Sequence, residues 1–220
     1  MNRWLVLFAK EPKKNNVKTR LQPCLQTGSS EGIYKAFFRD VVEIARQIEC
    51  ENKIIAYESE NNNPEFISKI APDFKIIKQT GKDLGERMYQ IFWWILHHKA
   101  HHVIIIGTDI PTLPPENIQM AFQQLGHHDI VLGPSLDGGY YLIGLKKPHR
   151  EIFTNIGWGS NQVLNQTVSK INKMHLKAAF IPRWYDVDDQ DGLNSLVKDL
   201  KGKQDKSIAR WTRKYLEIQS

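Results

Sequence analysis

The stretch VIIIGTDIPTL (residues 103–113) decides the fold. Four consecutive β-branched apolar residues, Val103 to Ile106, run into Gly107, Thr108 and Asp109, and Pro111 follows. A short, wholly apolar run bounded by turn residues reads as a strand buried on both faces, the kind found in parallel sheets covered by helices on either side. Similar runs occur at residues 4–9, 53–57, 74–77, 130–133, 140–145 and 177–181. Between them lie segments of helical period at 31–48, 64–70, 84–98, 115–125, 161–171 and 193–200. Strands alternating with helices predict an α/β fold with a mostly parallel central sheet.

The chain has 220 residues, 41% apolar and 25% charged, which suits a globular protein with a substantial core. One domain over residues 1–220 is expected, with 205–220 forming a docked C-terminal helix. No run approaches the roughly 18 apolar residues that span a bilayer. The start MNRWLVLFAKEP becomes charged again at Lys10, too soon for a secretory signal. These features predict a cytoplasmic protein without a membrane partner. Cys24 and Cys50 are the two cysteines, and their spacing indicates neither a disulfide framework nor a zinc site. A formal charge of +6 favours anionic ligands in general. The basic tail from Lys201 could suggest nucleic acid. Asp205 and Glu217 interrupt it, however, and Ile208, Trp211 and Leu216 have helical spacing, so a packed helix with a solvated basic face is expected, and no nucleic-acid partner.

Ligands of open α/β sheets bind beyond the carboxyl ends of the strands, so polar residues that follow apolar strands are the candidates for chemistry. After the first strand, FAKEPKKNNVKTRL carries Lys10, Lys13, Lys14, Lys18 and Arg20. That density suits a polyphosphate, although a solvated basic loop has the same composition. Pro12 and Val17 stand where a Walker loop needs glycine, and no G-x-G-x-x-G follows this strand. Asp109 either binds a divalent cation together with phosphate oxygens or caps the turn before Pro111. In LGPSLDGGYYLIGL, Asp137, Gly138 and Gly139 precede Tyr140; the glycines permit close approach of a ligand, or make a hairpin turn. In WYDVDDQDGL, Asp186 and Asp188 share one face of an extended segment and can share one cation, while Asp189 and Asp191 suit the start of the next helix. In QTGKDLGERM, Asp83 and Glu86 form a capping pair that puts Arg87 in a first helical turn. A cation there calls for an anionic ligand or a neighbouring acid.

Together the blocks F-A-K-x-P to V-K-T-R-L (8–21), Q-x-G-x-D-L-G-E-R (79–87), G-T-D-x-P (107–111), L-G-P to D-G-G-Y-Y-L-I-G-L (132–145) and D-V-D (186–188) resemble a known group. They are similar to the bacterial glycosyltransferase-A-like family of radical-SAM/selenodomain-associated transferases, within the nucleotide-diphospho-sugar transferase superfamily. The resemblance implies a three-layer α/β/α sandwich of the glycosyltransferase-A type. It implies that Lys10, Lys18 and Arg20 hold phosphates, that the segment from Gln79 through Gly81 to Gly85 lies near the base, and that Arg87 belongs to the nucleotide site. It further implies that Asp109, Asp186 and Asp188 hold Mg²⁺ or Mn²⁺, and that Asp137, Gly138, Gly139 and Tyr140 face a small-molecule acceptor. The family carries Pro-Gly where this chain has Lys14-Asn15, and asparagine tolerates the positive φ of such a turn better than most residues. Two reactions follow from the resemblance. In nucleotidyl transfer from a nucleoside triphosphate to a phosphorylated acceptor, Lys18 and Arg20 stabilise pyrophosphate. In glycosyl transfer from a nucleotide-sugar to a hydroxyl, Asp137 is the base. The V-K-T-R-L loop favours the first. A nucleotide-binding module without turnover is the reading from a different class, and the three acids argue against it.

Other features carry less. HHKAHH sets His97 and His101, and His98 and His102, at metal-pair spacing, but the strand that follows ends the helix too early, so a polar helix end is expected. Trp93 and Trp94 read as part of a helix packed on the sheet. Trp158 either contacts substrate or anchors the core, before a helix that Ser160 is placed to cap.

Overall fold

The computed structural model describes residues 2–13, 17–25, 28–59 and 62–218. The Lys14-Asn15 departure in the basic loop lies outside the described residues. Among the described residues seven strands form one sheet: β1 (Arg3–Lys10), β2 (Asn52–Glu58), β3 (Lys75–Lys78), β4 (His102–Ile106), β5 (Ile130–Pro134), β6 (Tyr140–Leu145) and β7 (Ala178–Phe180). Their order is β3-β2-β1-β4-β6-β5-β7, and β6 runs antiparallel to both of its neighbours while the other pairings are parallel. The helices are α1 (Ser30–Arg46), α2 (Glu65–Ile70), α3 (Leu84–His97), α4 (Pro115–Leu125), α5 (Val163–Lys173), α6 (Gln190–Gly202) and α7 (Arg210–Tyr215). Two 3-10 helices, Thr19–Cys24 and Arg150–Phe153, have too few apolar repeats to show in the sequence.

The pleat divides the core. Leu5, Leu7, Ile104 and Ile106 face α1 and α4, whose Phe38, Val41, Ile118 and Phe122 pack on them. Trp4, Val6, Val103 and Ile105 face the opposite layer, with Met88, Ile91 and Phe92 of α3 and Ile171 of α5. Every residue of β4 is buried, which is why its sequence after His102 is continuously apolar rather than alternating. The sheet and its two helical layers form the three-layer α/β/α sandwich expected from the motifs.

The caps of α3 and α6 follow the sequence reading: Asp83 accepts from the Glu86 amide at 2.8 Å and Asp189 from the Gly192 amide at 3.0 Å. Ser160 departs from it. Its hydroxyl donates to the Gly157 carbonyl at 2.7 Å and makes a local turn, and α5 starts at Val163 without a side-chain cap. At the C-terminal end, α7 lies against α1. Asp40 accepts from the Trp211 and Thr212 amides at 3.0 and 2.9 Å and from the Thr212 hydroxyl at 2.6 Å. Among the described residues no helix is long and apolar enough to cross a membrane.

Candidate active site

The carboxyl ends of β1 and β4 lie side by side, and Tyr34 of α1 ties them together. Its hydroxyl accepts from the Lys10 amide at 2.8 Å and donates to the Lys10 carbonyl at 2.9 Å, while the Thr108 hydroxyl reaches it at 3.4 Å. Burial pushes the Tyr34 phenol well above its ordinary value, so it serves as a neutral clamp. The Val187 amide donates to the Asp109 carbonyl at 2.9 Å, which brings the Asp-Val-Asp segment against the turn after β4. Val187 is fully buried among Leu21, Ile33 and Phe37. Alternation along this extended segment then turns Asp186 and Asp188 away from that core and into the cleft.

Lys18 closes the group. It adopts a left-handed conformation (φ 51°) at the start of the 3-10 helix Thr19–Cys24. Its side chain is 4% exposed, with Nζ 2.8 Å from Asp109 Oδ2 and in contact with Asp188 Oδ1. Burial alone would depress the Lys18 ammonium, but the two carboxylates hold it above its ordinary value. Asp109 Oδ1 is buried and has no hydrogen-bond partner among the described residues. Burial, with Asp137, Asp188 and Asp109 nearby, pushes the Asp186 carboxyl up to about 7. Asp137 is oriented through Oδ1, which accepts from the Ser135 hydroxyl and from the Gly139 amide at 2.9 Å.

Two adjoining spaces open around these acids. A polar cavity of about 470 Å³ is lined by Lys10, Lys18, Arg20, Tyr34, Asp109 and Asp188, among others. An apolar chamber of about 250 Å³ lies beyond Asp137, between α3 and the Trp158 loop. Lys10, Lys18 and Arg20 thus meet in one cavity, as do Asp109 and Asp188, while Asp186 lines the chamber. Among the described residues no three ligating side chains are already gathered around one point, because the Lys18 ammonium stands between Asp109 and Asp188. The donor chemistry nevertheless suits a hard divalent cation: all-oxygen ligands, one of them an orphaned buried oxygen, and crowded negative charge.

The remaining expected residues have other visible partners. Gln79 is buried and its amide nitrogen donates to the Ala56 and Ala9 carbonyls at 2.7 and 3.3 Å, joining the ends of β2 and β1. Arg87 pairs with Glu58 at 2.6 Å, so a neighbouring acid answers its position in the first turn of α3. Glu58 also lies 3.7 Å from Lys10 Nζ. Gly81 has φ +139°, and its carbonyl accepts from Arg87 Nε at 3.3 Å. A Cβ on Gly85 would come within 2.6 Å of the Trp158 ring, and one on Gly138 within 2.2 Å of the Asn161 carbonyl. Both glycines therefore admit parts of the chain itself. Gly139 and Tyr140 line the chamber. Sequence reasoning missed Tyr34, Thr108 and Phe8, which also line the site. The only signal for Tyr34 was a polar-tipped aromatic near the start of an amphipathic helix.

A mainly parallel sheet with one reversed strand, bearing acids after β4 and a cationic loop after β1, is the fold of the nucleotide-diphospho-sugar transferases. Over 99% of its length the chain is similar to a candidate nucleotide-diphospho-sugar transferase from Desulfovibrio desulfuricans, with 30% identity, a TM-score of 0.88 and 98% of that chain covered. Residues 41–160 match the model of the family described as uncharacterized protein conserved in bacteria (DUF2064), and the chain belongs to that family. It is also similar to 2-phospho-L-lactate guanylyltransferases. That of Methanobrevibacter ruminantium is 24% identical over 132 residues, covering 56% of this chain and 56% of the relative. That of Methanocaldococcus vulcanius is 23% identical over 167 residues, covering 76% and 73%. The first match therefore spans little more than half the length of that relative.

Proposed function

We propose that the protein is a Mg²⁺-dependent nucleotidyltransferase that joins a nucleoside monophosphate unit from a nucleoside triphosphate to a phosphorylated small-molecule acceptor. The observation that carries this reading is the confluence of Lys10, Lys18 and Arg20 with Asp109 and Asp188 in one polar cavity at the carboxyl end of β1. Such an arrangement suits polyphosphate and metal together. In the reaction an acceptor phosphate oxygen bonds to the α-phosphorus, the bond from that phosphorus to the bridging oxygen breaks, and pyrophosphate leaves with the electron pair. Lys18 and Arg20 neutralise charge on the leaving group, so catalysis rests on alignment and electrostatics. Lys18 then exchanges its carboxylate partners for phosphate oxygens. Asp109, Asp186 and Asp188 would hold Mg²⁺ or Mn²⁺, whose charge supplies Lewis-acid stabilisation of phosphate oxygens when bound. Gln79, Gly81, Gly85 and Arg87 border the nucleotide side, and Asp137, Gly138, Gly139 and Tyr140 the acceptor side.

The similarity to guanylyltransferases supports this choice and makes guanine the first base to test. Within the superfamily, the motif blocks favour the radical-SAM/selenodomain-associated type, acting as one domain over the whole chain. Glycosyl transfer is the second reading, and the orientation of Asp137 by Ser135 and Gly139 is the observation that favours it. Incubation of the purified protein with Mg²⁺, each nucleoside triphosphate and a panel of phosphomonoesters decides between them. Pyrophosphate release that depends on acceptor is expected. Nucleoside diphosphate release from a sugar nucleotide, without pyrophosphate from any triphosphate, would replace this reading with the second.

A further inference from the structure

The two spaces of the cleft differ sharply in charge. They share Phe8, Asp137 and Gly159 at their junction. Lys10, Lys18 and Arg20 all lie on the polar side, whereas among the described residues no Lys, Arg or His lines the chamber, whose charged residues are Asp137 and Asp186. Its other walls include Leu84, Met88, Tyr140 and Trp158. Leu84 stands at the start of α3 with 44% of its surface exposed, so part of its aliphatic side chain is free to meet a ligand in the cleft. Trp158 is held in place by its seat on Gly85 and by an edge contact with the Tyr140 ring, centroids 6.4 Å apart.

We propose that this chamber receives the organic body of the acceptor, that the body is uncharged with an apolar face held between Leu84 and the Trp158 indole, and that acceptors bearing a carboxylate beside the phosphate are disfavoured. The assignment of the body to an acceptor rests on the nucleotidyltransferase reading; the chemistry of the chamber does not. Apolar walls stabilise an apolar group that leaves water. A second anion would enter beside Asp137 and meet no cationic side chain among the described residues of the chamber, a juxtaposition that costs affinity. The contrast with the guanylyltransferase relatives is specific, since phospholactate, the compound in their name, carries a carboxylate next to its phosphate.

The test compares phenyl phosphate with 2-phospho-L-lactate as ligands of the full chain, first by calorimetric binding without nucleotide, then as acceptors with Mg²⁺ and nucleoside triphosphates. Phenyl phosphate is expected to bind tighter by about tenfold or more, the discrimination an apolar pocket affords. Leu84→Ser and Trp158→Ala should each erase most of that preference, and Trp158→Phe, which keeps a ring on Gly85, should retain part of it. For Trp158→Ala the acceptor KM should rise more than the triphosphate KM. Equal or tighter binding of 2-phospho-L-lactate, binding of neither ester, or a preference untouched in Leu84→Ser and Trp158→Phe alike would overturn the proposal. Pyrophosphate release with 2-phospho-L-lactate as the better acceptor would sink it while leaving the proposed reaction intact. Trp158-dependent binding of phenyl phosphate without pyrophosphate from any triphosphate would do the reverse.

Discussion

Replacing Lys18 by methionine keeps an unbranched side chain one atom shorter and removes the charge that Asp109 and Asp188 share. Removing one partner from a buried ion pair costs about 3–5 kcal/mol, because the other charge is left uncompensated. The lysine is 4% exposed, but its partners retain 34% and 51% exposure, so water recovers part of that loss. A net destabilisation of about 2 kcal/mol is therefore expected once screening is counted. For a chain of this size that lowers the melting temperature by about 4–8 °C. Mg²⁺ should restore more of the loss in Lys18→Met than it adds to the unsubstituted protein, since the ion no longer competes with the ammonium. Pyrophosphate release should fall by about a hundredfold or more, as when a preorganised charge-stabilising group is deleted. Thermal unfolding of Lys18→Met, Asp109→Asn and the double variant, each with and without Mg²⁺, measures the coupling directly. A coupling energy under about 0.5 kcal/mol, the additive limit for independent sites, would refute the argument that these two residues form the centre of the site.

Three further expectations follow from the same structure. Asp40 is buried, and burial raises its carboxyl from 3.8 to about 6 despite bonds from Thr212 and Trp211. A raised carboxyl pKa means the folded state holds the proton longer, so this contribution is complete below about pH 4 and is lost as pH rises through about 6, up to about 3 kcal/mol. Urea midpoints at both ends of that window should show a component that vanishes in Asp40→Asn; an identical pH slope in the variant would contradict it. Gly85→Ala should destabilise by about 1–3 kcal/mol through overpacking and shift the tryptophan emission, because its Cβ meets the Trp158 ring and the Phe153 carbonyl at 2.6 Å. Unchanged emission and stability would show that the Trp158 loop yields freely. Chelation with EDTA should abolish pyrophosphate release yet leave the melting temperature unchanged, since Lys18 already bridges two of the acids. A drop of several degrees would instead make the ion part of the fold.

The sequence by itself determined the layers and the direction of the sheet. Its apolar runs have the periods of buried strands and amphipathic helices, and the caps at Asp83 and Asp189 act on amides three residues away. It also determined that the acids after β4 and in the Asp-Val-Asp segment belong beyond the strand ends. What it could not decide was which partner each charge would find. Arg87 was open to an anionic ligand or a neighbouring acid, and the pairing of β1 with β2 put Glu58 within reach. Gly138 was open to either a close ligand or a hairpin turn, and a Cβ there would meet Asn161; Gly85, which the resemblance put near the base, is packed against Trp158. Asp40 gave no sign that it holds α7 from 172 positions away. Lys18 was one of five cations in a loop until the 3-10 turn buried it between Asp109 and an acid 170 positions along the chain. Period and capping act between near neighbours and are written in local order, whereas charge pairing and close packing depend on distances through space that only the assembled sheet sets.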